Sequence, residues 1–144
     1  RAQVVGVLRQ LVRETGAALL LITHDLKVAA NLCDEVAVMY AGGILEHGPA
    51  EKVLREPLHP YTQGLLASLP ENGLHPIPGH SPGLLDLPAG CRFYRRCERA
   101  GELCAQRRPP MQLFNGSYVR CLFVDQDGKP QQDLCDRDPQ KAAV

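Results

Sequence analysis

Between Leu69 and Gly90 the chain carries Pro70, Pro76, Pro78, Pro82 and Pro88 interleaved with Gly73, Gly79, Gly83 and Gly90. Proline lacks the amide that helix interiors and central strands use, and glycine is costly to order, so no long regular element crosses this stretch. It reads as a linker, residues 69–90, dividing two chemistries. Of the six cysteines only Cys33 precedes it, whereas Cys91, Cys97, Cys104, Cys121 and Cys135 lie beyond it. The expected layout is a domain portion over residues 1–68, the linker, a cysteine-rich extension over 91–125 and a polar tail over 126–144.

In the first part Val4, Val7, Leu8, Leu11 and Val12 recur at helical spacing with Arg9, Gln10, Arg13 and Glu14 opposite, and Gly16 stands where helices end. Ala17 to Ile22 is continuously apolar and is followed by Thr23, His24 and Asp25. This is the profile of a strand covered on both faces, at home in a parallel sheet whose other strands this chain does not supply. Asp25 then caps a short helix from Leu26 to about Cys33, and Glu35–Met39 and Ile44–His47 form a hairpin around Ala41-Gly42-Gly43. Two short helices come next, over Pro49–Arg55 and after the break at Glu56–Pro60. The fold class is α/β, read as a truncated domain because the sequence opens at Arg1 in mid-helix.

Sixteen basic and sixteen acidic side chains cancel, leaving no net field to draw the chain onto nucleic acid or an anionic surface. The longest apolar run, Gly16–Ile22, falls far short of the roughly 20 residues a membrane-spanning helix needs, and no secretory leader precedes it. Disulfides are therefore disfavoured for the cysteines, and metal ligation or redox chemistry is favoured. Cys91, Cys97, Cys104 and Cys121, separated by five, six and sixteen residues, match the number of thiolates that saturate a tetrahedral zinc or a cubane iron–sulfur cluster. Spacing alone leaves zinc and iron–sulfur open. Cys33 reads as a small core residue and Cys135 as a spare thiol. Arg92, Arg95, Arg96, Arg99, Arg107, Arg108 and Arg120 face only Glu98 and Glu102 between the outer cysteines. This local positive charge would stabilise an anionic cluster. It also leaves a second class of reading, a zinc-stapled nucleic-acid module in which these arginines interleave with Phe93, Tyr94, Phe114, Tyr118 and Phe123.

The string LLLITHDLKVAANLCDEVAVMYAGGILEHGPAEKVL resembles the part of ATP-binding-cassette ATPases that runs from the switch-histidine loop through the closing hairpin. His59-Pro60-Tyr61-Thr62, the Ile77–Pro88 linker and GCRFYRRCERAGELC with Cys121 resemble the C-terminal elements of the peptide-importer branch and its nickel-importing relatives. The resemblance implies a truncated P-loop ATPase domain followed by a small irregular iron–sulfur extension, in an ATP-hydrolysing subunit that powers oligopeptide or dipeptide import. It implies that His24 contacts the γ-phosphate of ATP bound with Mg, and that Cys91, Cys97, Cys104 and Cys121 hold a [4Fe-4S] cluster, with zinc as the alternative metal. The implied partners are a second ATP-binding subunit, two membrane permeases and, through them, an extracytoplasmic peptide-binding protein, with no nucleic acid. The implied location is the inner face of the cell membrane, peripheral and cytoplasmic. His59 and Tyr61 are read as turn and packing residues. No G-x-x-x-x-G-K-[ST] loop and no strand ending in the magnesium-binding carboxylates occurs here, so the chain alone is expected not to hydrolyse ATP.

Overall fold

A computed structural model describes residues 2–124; Cys135 lies outside the described residues. Helix α1 (Ala2–Thr15) closes with the Gly16 amide donating to the Val12 carbonyl at 2.9 Å, as the helical spacing predicts. Helix α2 (Leu26–Leu32) is capped as expected, the Asp25 carboxylate accepting the amides of Lys27 and Val28.

The expected strand over Ala17–Ile22 does not form: the segment carries no ladder, and Leu20 and Ile22 are about nine-tenths exposed at 88% and 91%. A strand is defined by its neighbours, and no other described segment runs alongside this one. The sheet that does form is antiparallel throughout, not parallel. Strands β1 (Glu35–Tyr40) and β2 (Gly43–Pro49) make the expected hairpin, with one register shift between Val38 and Met39. Ala41 and Gly42 both take positive φ, the two-residue turn whose twist matches paired strands.

The linker does not isolate the cysteine-rich part from the first. After helices α3 (Ala50–Arg55) and α4 (Pro60–Ala67) the chain passes residues 69–90 and returns, through the short α5 (Glu102–Gln106), to a second hairpin. Its strands β3 (Gln112–Phe114) and β4 (Ser117–Val119) join the first sheet, in the order β1-β2-β4-β3. The junction is the pairing of Glu46 with Val119 and His47 with Tyr118, extended by the Arg120 amide donating to the Leu45 carbonyl at 2.8 Å.

Alternation along β1 sends Val36, Val38 and Tyr40 inward. Val36 and Val38 meet Ala29, Ala50 and Val53 in one core. Tyr40 enters a second core with Leu45, Phe93, Phe114, Val119 and Phe123, and with them Cys91, Cys104 and Cys121. Each fully buried apolar side chain of this size contributes about 1.5–3 kcal/mol, so the cysteine loop and the hairpin hold each other in place. None of the helices among the described residues is long and apolar enough to cross a membrane.

Candidate functional site

The structure gathers the four expected cysteines. Cys91, Cys104 and Cys121 lie in one buried cluster with Cys97 packed against it, and no disulfide joins them. The loop geometry is local and tight: the Cys91 amide donates to the Cys104 carbonyl at 2.7 Å, and the Cys104 amide donates to the Gly101 carbonyl at 2.9 Å. Gly90 makes this approach possible, since a Cβ there would stand 2.1 Å from the Cys104 carbonyl oxygen and 2.5 Å from that of Ala105.

Backbone amides point at the sulfurs. Phe93 and Tyr94 donate toward Cys91, Arg99 toward Cys97 and Phe123 toward Cys121. In each case one donor lies two residues beyond the cysteine, the result of a chain that turns immediately after the thiol. Burial pushes all three thiols up, Cys97 to about 11 and Cys121 to about 12, and the neighbouring thiols raise these two further. The three are therefore protonated at neutral pH. Among the described residues no group of three or more Cys, His, Asp or Glu side chains is arranged to hold a metal ion. The iron–sulfur site expected from the sequence is thus not displayed as a metal site; in its place stands a set of mutually perturbing thiols.

The chemistry of that donor set nonetheless fits a thiolate-ligated group. Four sulfurs gather at one apolar core, three of them approached by main-chain donors. This satisfies the demand for soft ligands and for amides that offset the charge of ligated sulfur. Of the aromatic residues of the nucleic-acid reading, Phe93, Phe114 and Phe123 are 3%, 9% and 4% exposed and present no face on which a base could stack, whereas Tyr94 is half-buried and Tyr118 is exposed.

His24 sits elsewhere, exposed at a bend between Thr23 and the capping Asp25. The Asp25 amide donates to the Thr23 hydroxyl at 3.0 Å, so the residues on either side of the imidazole are tied together. Within the described residues it shares neither of the two cores with the cysteines.

Sequence reading missed Glu46. This residue lies on β2 yet is fully buried, and its carboxylate accepts the Leu58 amide at 2.7 Å and the His59 amide at 3.0 Å. Burial raises its pKa against the pull of those amides. His59 is 1% exposed; its Nδ1 accepts the Tyr61 amide at 2.9 Å, which makes it the cap of α4, and its other nitrogen donates to the Arg120 carbonyl. His59 and Tyr61 are turn and packing residues, in agreement with the sequence. The only available signal for Glu46 was an acidic residue in an otherwise strand-like run.

Residues 45–104 match the family model described as oligopeptide/dipeptide transporter, C-terminal region. The match gives the class: the chain carries the C-terminal region of the oligopeptide/dipeptide transporter family and is similar to ATP-binding proteins of that family. The chain is 42% identical over 139 residues to the oligopeptide transport ATP-binding protein OppD of Salmonella typhimurium and, equally, of Escherichia coli, covering 93% of this chain and 40% of theirs. It is 38% identical over 136 residues to the dipeptide transport ATP-binding protein DppD of Caldanaerobacter subterraneus, covering 90% of this chain and 41% of that one. The chain thus spans about 40% of the length of these relatives.

Proposed function

We propose that the chain forms the switch-histidine and cysteine-bearing part of an ATP-binding subunit that powers peptide uptake. The relatives' own names describe oligopeptide and dipeptide transport ATP-binding proteins, and the observation that carries the site is the convergence of Cys91, Cys97, Cys104 and Cys121 on one core. In this reading residues 1–68 belong to the nucleotide-binding domain, 69–90 link and 91–125 form the extension; the tail expected over 126–144 lies outside the described residues. The exposed Val7, Leu11, Leu20 and Ile22 give an apolar surface for the remainder of such a domain. The subunit would pair with a second ATP-binding subunit and two permeases served by an extracytoplasmic peptide-binding protein, on the cytoplasmic face of the membrane.

His24 acts on ATP bound with Mg in the assembled subunit. An imidazole held at the Thr23–Asp25 exit donates to a terminal phosphate oxygen and senses its departure. Cys91, Cys97, Cys104 and Cys121 lose their protons and hold a [4Fe-4S] cluster, with the amides of Phe93, Tyr94, Arg99 and Phe123 aimed at three of the sulfurs. Such a group, when bound, supplies a covalent staple to a small domain and a one-electron centre. The staple is the primary role, since the loop's apolar core is short and shared.

Anaerobic purification of the chain with iron, sulfide and zinc analysis tests this. A brown protein with iron and sulfide in equal amounts, bleached in each single Cys→Ser variant, supports the reading. Stoichiometric zinc without iron would replace the cluster with the alternative metal. Measurable ATP hydrolysis by the chain alone would contradict the assignment of His24 as a contributor rather than a complete site.

A further inference from the structure

The dipeptide Asn-Gly occurs twice in the chain, as Asn72-Gly73 and as Asn115-Gly116. Each copy carries a latent reaction, because glycine has no side chain to keep its amide nitrogen away from the carboxamide carbon of the asparagine. The fold treats the two differently. Asn72 ends a 3-10 turn, Pro70–Asn72, and both of its reacting groups are engaged. Its Nδ2 donates to the Leu66 carbonyl at 2.9 Å, and the Gly73 amide donates to the Pro70 carbonyl at 3.4 Å. The His75 ring stands over that glycine, where a Cβ would lie 2.9 Å from its Nε2.

Asn115-Gly116 is the two-residue turn between β3 and β4, closed by the pairing of Phe114 with Ser117. Both residues are exposed and both take positive φ, 47° and 78°, the turn to which Asn-Gly is best suited. Among the described residues no hydrogen bond holds the Asn115 carboxamide, and the Gly116 amide makes none of the turn and loop bonds. The contact this turn does have is on its backbone. Lys52 Nζ, from α3, donates to the Asn115 carbonyl, and a Cβ on Gly116 would stand 3.0 Å from the same nitrogen. A cation on that oxygen draws electron density out of the Asn115–Gly116 peptide bond and stabilises the charge its nitrogen carries on losing a proton.

We propose that Asn115-Gly116 is a self-modification site, at which the Gly116 nitrogen closes on the Asn115 carboxamide with the assistance of Lys52. Water is the one co-reactant. The Gly116 nitrogen gives its proton to solvent and bonds to Asn115 Cγ; the Cγ–Nδ2 bond breaks, and Nδ2 takes a proton from solvent and leaves as ammonia. Water then opens the five-membered imide, at Cγ to give aspartate or at the main-chain carbonyl to give isoaspartate, and no electrons change hands. Aspartate places a carboxylate beside Lys52, making the contact between α3 and the second hairpin an ion pair. Isoaspartate adds a methylene to the main chain inside a two-residue turn, which takes Phe114 and Ser117 out of register. Since β4 is the strand that joins β2, this turn sets how firmly the second hairpin is held to the first. The inference uses no cysteine and stands apart from the metal reading.

The test incubates the purified chain at neutral pH, folded and in parallel in urea, with digestion at intervals. Each Asn-Gly peptide is followed by mass for the conversion of amide to acid and by chromatography for the two acid isomers. In urea the two sites should convert at similar rates. In the folded chain Asn115 should convert at least about tenfold faster than Asn72, the factor that breaking one well-made hydrogen bond supplies. Lys52→Gln should slow conversion at Asn115 about threefold in the folded chain, the scale of a surface charge interaction, and leave the rate in urea unchanged; Lys52→Arg, which keeps the cation, should restore most of it. Equal conversion of Asn72 and Asn115 in the folded chain overturns the proposal. So does an Asn115 that stays intact while the urea sample reacts, or a rate at Asn115 that Lys52→Gln does not lower.

Discussion

The carboxylate of Glu46 accepts the amide of His59 at 3.0 Å, with neither side chain in contact with water. From this pair a continuous polar line runs through the core. The Leu58 amide joins Glu46, Tyr61 donates to the His59 ring, and that ring donates to the carbonyl of Arg120, one residue before Cys121. The first hairpin, the α4 cap and the cysteine loop are thereby tied at one point.

His59 makes this line sensitive to acid. Burial lowers its pKa from 6.5 to about 3, so between those values the unfolded chain takes up a proton that the folded chain refuses. Stability from this group is complete above pH 6.5 and falls by about 1.4 kcal/mol for each pH unit below it. Glu46 works in the other direction, its raised pKa lending stability that is lost as pH rises through the carboxylate range. Urea unfolding of the wild type and His59→Gln between about pH 4 and 7 should show a shallower slope in the variant. Parallel slopes would contradict the assignment.

Removing the carboxylate exposes the opposite weakness. Glu46→Ala leaves the amides of Leu58 and His59 buried with no acceptor, and should cost about 2–4 kcal/mol. Glu46→Gln keeps one acceptor oxygen and should cost less than half of that. Denaturant midpoints at neutral pH order the three proteins.

The metal-free thiols should react slowly. With Cys97 near 11 and Cys121 near 12, their thiolate fractions are about 100-fold and 1000-fold below that of an ordinary thiol of pKa 9. Iodoacetamide labelling at about pH 8, followed by mass spectrometry, should find both lagging behind the same residues in denaturant. Equal rates in folded and unfolded protein would mean that the thiols are not in the core described.

Gly90→Ala tests the closeness of the loop. A methyl group would overlap the carbonyls of Cys104 and Ala105, so the 2.7 Å bond from the Cys91 amide should break, at a cost of about 3 kcal/mol or more. Hydrogen exchange at the Cys91 amide reports it directly.

Arg96 holds the linker down. Its guanidinium donates to the carbonyls of Ile77 and Pro78 and to the hydroxyls of Ser81 and Tyr40. Arg96→Ala should weaken this attachment by about 2 kcal/mol and speed proteolytic cutting within residues 77–83. Unchanged cleavage would place the restraint elsewhere.

Sequence alone determined whatever neighbouring residues decide among themselves. The Asp25 cap, the end of α1 at Gly16, the tight turn at Ala41-Gly42 and the break before Pro60 all arise from interactions spanning a few positions. Their signals are written at those positions. Tertiary structure decided everything that needed two distant segments to meet: that residues 17–22 found no neighbour and stayed unpaired, that β4 chose β2 as its partner, and that an acidic strand residue turned inward to hold the α4 cap. The proline-rich linker looked like a boundary because local chemistry forbids regular structure there, yet it only carries the chain back to a shared core. The burial and the amide donors that surround the four cysteines belong to this second kind of information, since they arise from closing loops whose energetic return appears only once both ends are in place.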